Sequence, residues 1–213
     1  MDNSKPLVSV LMSVRNGEQT IEKSIKSILN QSYDYFEFLI VDDCSTDSTL
    51  EKLKILEKQD SRISIFTNSE NIGLTKSLNK LIKNTKGELI ARQDSDDYSN
   101  PERIYTQVQY LLKNNLDAVT SRALIIESTK KIPGLSYFIP VKLLMKFKNP
   151  FIHGSLIIKK QVLNNLGLYD ENFYYAQDYK LYLDLLSNGY NIKAINKPLY
   201  NLNTINNISS NNK

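Results

Sequence analysis

Residues 88–104 read "ELIARQDSDDYSNPERI". The run Glu88–Ala91 has the length and apolar character of a short buried strand. "SNPERI" carries the marks of a helix start, with Asn100 suited to the N-cap and Pro101 to the first helical position. Between them Asp94, Asp96 and Asp97 stand almost side by side. Like charges at contact distance raise one another's pKa and destabilise a fold unless something positive lies between them. The cluster is either a solvated turn or a place prepared for a cation. Strand, polar loop and helix in this order is also the unit from which parallel α/β sheets are built.

The same unit recurs upstream. "LVSVLMSV" (7–14), "FEFLIV" (36–41) and "ISIFT" (63–67) read as largely buried strands. Ile21, Ile25, Ile28 and Leu29 repeat at helical spacing, as do Leu74, Leu78, Leu81 and Ile82. A further helix over about 49–58 follows the capping turn "CSTDS". The alternation predicts right-handed crossovers and an α/β fold, a parallel sheet with helices on both faces. Downstream, the helix opened by Asn100 would turn Ile104, Val108, Leu111 and Leu112 inward. "DAVT" and "SLII" read as strands, and a last helix runs from about Asp178 to Ser187 before Gly189. With no repeat and no low-complexity linker, residues 1–213 read as a single domain of two halves, about 6–98 and about 99–200. "NLNTINNISSNNK" (201–213) is expected to be a flexible tail.

Composition narrows the class. The 213 residues are 41% hydrophobic and 23% charged, ordinary for a globular protein with a real core. A net charge of +4 is too mild to imply nucleic acid. The single cysteine, Cys44, excludes an internal disulfide, and with one histidine in the chain a zinc site is disfavoured. The opening "MDNSKPLVSVLMSV" lacks the basic start and long apolar core of a signal peptide, and no run reaches transmembrane length. The expected location is cytoplasmic.

Ligands of open parallel sheets bind beyond the carboxyl ends of the strands. "RNGE", "DDCSTD" and "DSDD" all fall at such ends. Alone, "DDCSTD" reads as a helix-capping turn and "DSDD" as a solvated turn or a metal site; their shared edge favours a site. Oxygen-only ligands select hard ions, and Mn²⁺ or Mg²⁺ is held by one or two carboxylates plus substrate phosphates. No glycine-rich phosphate loop is present, so a diphosphate would be held through the metal.

"VSVLMSVRNGE", "LIVDDCSTDST", "NIGLTKSLNKLI", "GELIARQDSDD", "NPFIHGSLIIKK" and "GLYDENFYYAQDYKLYLDLLSNGY" follow one another as in family 2 inverting glycosyltransferases. The resemblance covers roughly residues 6–200. It implies a GT-A fold, a Rossmann-like, mostly parallel sheet flanked by helices, with a nucleotide-sugar-binding half and an acceptor-binding, catalytic half. By this likeness Asp42, with Asp43 beside it, meets the base of a nucleotide-diphosphate sugar, usually a UDP-sugar. Ser13, Val14, Arg15 and Asn16 line the same pocket. Arg92, Asp94 and Ser95 face the ribose and diphosphate, and Asp96 with Asp94 holds the metal, while Asp97 fits a capping role. Asp178 matches the family's general base, and Gln177 stands where the family has a glutamate. His153 falls beside the sugar-phosphate by the same likeness, or is structural, as lone histidines often are.

One departure concerns the family's basic "Y-R-x-H" lid. The aligned "NLNT" offers Leu202 and Thr204, so either the lid works through hydrogen bonds, another cation such as Arg92 or Arg103 compensates, or part of the lid lies outside this sequence. The segment "SYFIPVKLLMKFKNPF" mixes apolar residues with Lys142, Lys146 and Lys148. It suits a core-facing helix with a solvated back, or peripheral contact with an anionic membrane at its inner face. The reading is a metal-dependent transferase acting on a saccharide or lipid-linked hydroxyl. Its alternative is a catalytically weak subunit that binds nucleotide-sugars for a partner enzyme. A nucleotidyltransferase is disfavoured by the missing glycine loop.

Overall fold

In the computed structural model, residues 5–173 and 175–204 are described. The strand runs anticipated upstream form β1 (Val8–Val14), β2 (Phe36–Asp42), β3 (Ile63–Thr67) and β4 (Leu89–Arg92). β1 pairs in parallel with both β2 and β4, and β2 with β3. The crossovers are α1 (Ile21–Leu29), α2 (Thr49–Gln59) and α3 (Gly73–Asn84).

Side chains alternate across a strand, and here the alternation feeds two cores. Val8, Val10 and Met12 of β1 join Phe38 and Ile40 of β2 under α1 and α2. Leu11 of β1 joins Leu39 and Val41 of β2 under α3. The sheet is therefore covered on both faces, as a parallel sheet requires.

The second half continues the same sheet with mixed direction. β8 (Ile157–Lys159) runs antiparallel to β4, β6 (Ala118–Ile125) antiparallel to β8, and β9 (Ile192–Leu202) parallel to β6. β5 (Tyr98–Ser99) pairs antiparallel with β9, and β7 (Lys131–Ile132) antiparallel with β6. The Ser99 amide donates to Ser27 Oγ of α1 at 3.0 Å, so the far edge curls back towards the first half. Helices α4 (Arg103–Lys113), α5 (Val141–Leu144), α6 (Lys160–Asn165) and α7 (Gln177–Ser187) are the α-helices of the second half among the described residues.

Three details differ from the sequence reading. α4 starts at Arg103, because Asn100 and Pro101 form a turn whose carbonyls accept from Arg103, Gln31 and Ser32. Leu112 is 51% exposed and lies outside the inward stripe, which Gln107 completes instead. Asn201 and Leu202, assigned to the tail, close β9; residues 205–213 of that assignment lie outside the described residues.

Candidate active site

The loops after β1 and β2 are stitched to each other. The Asn16 amide donates to Ser45 Oγ (2.9 Å), and the Thr46 amide donates to Asn16 Oδ1 (2.9 Å). The Gly17 amide donates to Thr49 Oγ1 (2.8 Å), while Glu18 Oε2 accepts from the Ser48 amide and hydroxyl. Asn16 and Cys44 take up left-handed backbone, at φ 53° and 59°, to make these turns. Gly17 is required by close approach, since a Cβ there would lie 2.6 Å from Val14 Cγ2. Val14 is buried and its carbonyl accepts from the Asp43 amide at 2.8 Å, Ser13 is half-buried, and Arg15 and Asn16 are exposed.

Asp42 and Asp43 at the end of β2 do different work. Asp43 Oδ1 accepts from Asn68 Nδ2 and the Ile72 amide, and Oδ2 from the Gly73 amide, each at 2.9 Å. Both its oxygens thus accept hydrogen bonds that fix the start of α3, beside the ligand-facing role that the family likeness implies for it. Asp42 Oδ2 accepts from the Ser45 amide (3.1 Å), but Oδ1 is buried without a partner. A buried polar atom left unsatisfied costs about 1–3 kcal/mol. A ligand N–H arriving at this edge would satisfy it.

β4 ends on Arg92, whose side chain is buried. Its Nη1 donates to the Leu11 carbonyl (2.9 Å) and its Nη2 to Asp94 Oδ1 (2.6 Å). The Asp94 amide donates to Tyr200 Oη at 3.0 Å, and the Asp94 carbonyl accepts from Ser24 Oγ at 2.8 Å. Gly154 leaves room for the carboxylate: a Cβ there would lie 2.6 Å from Asp94 Oδ2. Asp96 and Ser95 are half-buried beside it. Burial, then the Asp94 charge, holds the Asp96 carboxyl above the ordinary range. Asp97 is buried and accepts from the Asn203 amide at 2.8 Å. Burial, with Asp94 and Asp96, pushes its pKa up to about 8.

Behind this cluster lies Arg103, fully buried, with Nε, Nη1 and Nη2 all lacking hydrogen-bond partners. Its guanidinium sits 5.6 Å from the centre of the Tyr200 ring, within cation–π range. Burial pushes its pKa down to about 10, which leaves it charged at neutral pH. Arg92 and Arg103 thus supply fixed positive charge at the cluster, while the aligned lid positions do not. Leu202 belongs to β9, and Thr204 donates from its amide and hydroxyl to Glu127.

The second half contributes Asp178 in the first turn of α7, entered through Ala176 in left-handed conformation at φ 58°. Asn149 Nδ2 donates to Asp178 Oδ2 at 2.7 Å. Burial raises the Asp178 pKa, the Tyr179 amide pulls it back, and the Asp94 charge pushes it up again. Gln177 is half-buried at the helix start. His153 Nε2 pairs with Tyr169 Oη at 2.8 Å; burial and the Arg92 cation push its pKa well down, so the ring is neutral at physiological pH. Asn149, Tyr169 and Tyr200 escaped the sequence reading. Only the Asn149–Pro150 dipeptide gave a local signal, that of a turn, seen here as the Phe151 amide donating to Asn149 Oδ1.

Among the described residues no three His, Cys, Asp or Glu side chains converge to cage a metal. The donor set fits an ion held by one or two carboxylates whose shell is completed by phosphate, the usual manner of Mg²⁺ and Mn²⁺. Asp96 and Asp94 are the carboxylates available for it.

The sequence profile of Glycosyl transferase family 2 matches residues 9–181. The chain belongs to that family. A member from Escherichia coli, UDP-Glc:alpha-D-GlcNAc-diphosphoundecaprenol beta-1,3-glucosyltransferase WfgD, is 35% identical over 192 residues, 89% of this chain and 73% of WfgD. A glycosyltransferase of Haemophilus influenzae is 34% identical over 84% of this chain, of which the chain spans 60%. Among solved structures, Staphylococcus aureus TarS 1–349 in complex with UDP-GlcNAc superposes with a TM-score of 0.79 at 21% identity, over 97% of this chain and 61% of TarS 1–349. The mannosyltransferase PcManGT of Pyrobaculum calidifontis, in complex with GDP-Man and Mn²⁺, gives 0.73 at 21% identity, over 92% and 56% of the two chains. The fold is GT-A, as the family-2 resemblance implied.

Proposed function

We propose that this family 2 member transfers a sugar from a nucleoside diphosphate sugar, a UDP-sugar, to a hydroxyl of a saccharide or lipid-linked acceptor, inverting the anomeric carbon. The observation that carries the reading is electrostatic. Asp178, from the second half, lies close enough to Asp94, from the first, for one carboxylate to raise the pKa of the other. In the strand order β2–β1–β4, Asp42 ends β2 and the acid cluster follows β4, so a nucleoside at Asp42 would set its diphosphate towards the cluster and the acceptor towards Asp178.

Asp42 Oδ1 would accept the imide N–H of uracil. Asp178 would accept the acceptor's hydroxyl proton as that oxygen bonds to the anomeric carbon and the bond to the diphosphate oxygen breaks, the nucleoside diphosphate leaving on the opposite face. Asn149 orients the carboxylate by donating to one of its oxygens. Asp96 and Asp94 would hold Mn²⁺ or Mg²⁺, which supplies Lewis-acid neutralisation of the departing diphosphate. A lipid-linked acceptor, the kind named for WfgD, would bring the chain from the cytoplasm to the inner membrane face.

Gln177 and the uncharged Leu202 and Thr204 favour a second reading, a nucleotide-sugar-binding subunit without turnover. Release of UDP from a panel of UDP-sugars, with and without Mn²⁺, tests both. Metal-stimulated release supports the transferase. UDP affinity without release or transfer to any acceptor supports the subunit.

A further inference from the structure

The segment 128–169 holds seven of the chain's 27 Lys and Arg residues and none of its 23 Asp and Glu residues. Its stretch from Leu135 to Lys148 is laid over the acceptor-side core in two short turns, the 3₁₀ turn Leu135–Phe138 and α5. The underside is anchored: Leu144 and Met145 are buried, and Tyr179 Oη donates to the Met145 carbonyl. The outer side is not polar, as a solvated back would be. Leu135 is 87% exposed, Phe138 70% and Phe147 80%, with Leu143 also exposed. Leu135 and Phe138 stand three residues apart in a 3₁₀ turn, where such positions eclipse. Leu143 and Phe147 stand four apart in continuing helical turns, the spacing of a shared face. Lys142, Lys146 and Lys148 interleave with them.

We infer that this face docks on an anionic phospholipid bilayer, with Leu135, Phe138, Leu143 and Phe147 entering the headgroup boundary and Lys142, Lys146 and Lys148 meeting the lipid phosphates. Apolar side chains among lysines, with no carboxylate in the segment, complement an anionic surface. A second copy of the chain would set the same lysines against each other. Position supports the assignment. Asn149, one residue beyond Lys148, holds Asp178, so the docked face adjoins the proposed base and would present the active site to an acceptor at the membrane. Among the described residues no helix is long and apolar enough to cross a membrane, so contact here is lateral.

Vesicle co-sedimentation of the 213-residue chain, without donor or acceptor, tests the inference independently of the transfer reading. Vesicles of phosphatidylcholine containing phosphatidylglycerol should retain the protein, and pure phosphatidylcholine should retain little. Phe138→Ser with Phe147→Ser should lower the partition coefficient at least about tenfold, the worth of two partly inserted rings. Lys142→Gln, Lys146→Gln and Lys148→Gln together should lower it roughly a hundredfold and remove its salt dependence. Both sets change exposed residues, and unchanged unfolding temperatures would show that the fold persists; if the serine pair does destabilise it, the lysine triple decides alone. Equal binding to neutral and anionic vesicles, no binding, or undiminished binding by the lysine triple overturns the proposal. So does a concentration-dependent dimer that the variants abolish, which would give the face to a second copy.

Discussion

The Asp42 edge, proposed to meet the nucleoside, and the acid edge of the site are built on opposite principles. At the first, the loops after β1 and β2 are cross-linked through Asn16, Gly17, Glu18, Ser45, Thr46 and Thr49, and Asp42 Oδ1 is left as a buried oxygen without a partner. At the second, Asp96, Asp97 and Asp178 are held above their ordinary pKa, and Arg103 is buried without a hydrogen-bond partner. One edge is preorganised by satisfied hydrogen bonds, so its shape exists before the ligand. The other holds unrelieved charge, so its electrostatics are completed by what binds. A site of this kind separates recognition from chemistry, and substitutions should separate them too.

Asp178→Asn gives the largest expected effect. The amide keeps the shape but cannot take a proton, so transfer should fall by roughly 10²–10⁴-fold while UDP affinity holds. Transfer at near-parental rate would refute the base assignment. Asp96→Ala should come next, removing the Mn²⁺-dependent part of UDP binding. Its loss should exceed the roughly 10–100-fold that outer-shell changes cost a metal site. Calorimetry with UDP and Mn²⁺ reads this directly, and equal affinity sinks the metal assignment.

The sharpest contrast is between neighbours. Asp42→Ala should weaken UDP binding about ten- to a hundredfold, from a charged hydrogen bond worth roughly 1.5–3 kcal/mol. Its metal requirement should persist. Asp43→Ala should do the reverse, leaving UDP affinity near parental while lowering stability by about 1–3 kcal/mol as three donors around α3 lose their acceptor. Urea titrations of the two variants check it, and equal phenotypes would erase the distinction between the edges.

The smallest effect is a displacement in pH. Asp178, as the proposed base, must be ionised, and burial raises its pKa, so transfer should fall off on the acid side at a higher pH than a free aspartate, about 3.9, would give. Asn149→Ala leaves this carboxylate without its side-chain donor and should move that limb further upward. A limb unmoved by Asn149→Ala would show that another group sets it.

The first half was legible because its signals are local. Apolar runs of strand length alternate with helical spacing, and each polar stretch marks a sheet edge. β9 was not anticipated, since Pro198 and interspersed polar residues break its pattern. Pro198 falls at the register irregularity opposite Arg122, where a missing N–H breaks the ladder. Asp42 and Asp43 look equivalent in sequence and part only when Asn68, Ile72 and Gly73 fold back onto one of them. Tyr200, Tyr169 and Asn149 act through partners far along the chain, and no spacing rule encodes such a meeting.

Tyr200 also imposes an order in time. It receives the Asp94 amide across 106 residues of chain, and Asn203 meets Asp97 across the same interval. At a synthesis rate of about 5–20 residues per second, the aspartates leave the ribosome roughly 5–20 s before the strand that braces them. Through that interval the nascent chain can already form the β1–β4 sheet, and the acid loop has Arg92 and Ser24 as partners but not yet Tyr200 and Asn203. The finished geometry of the cluster is thus withheld until the polypeptide has been made through β9.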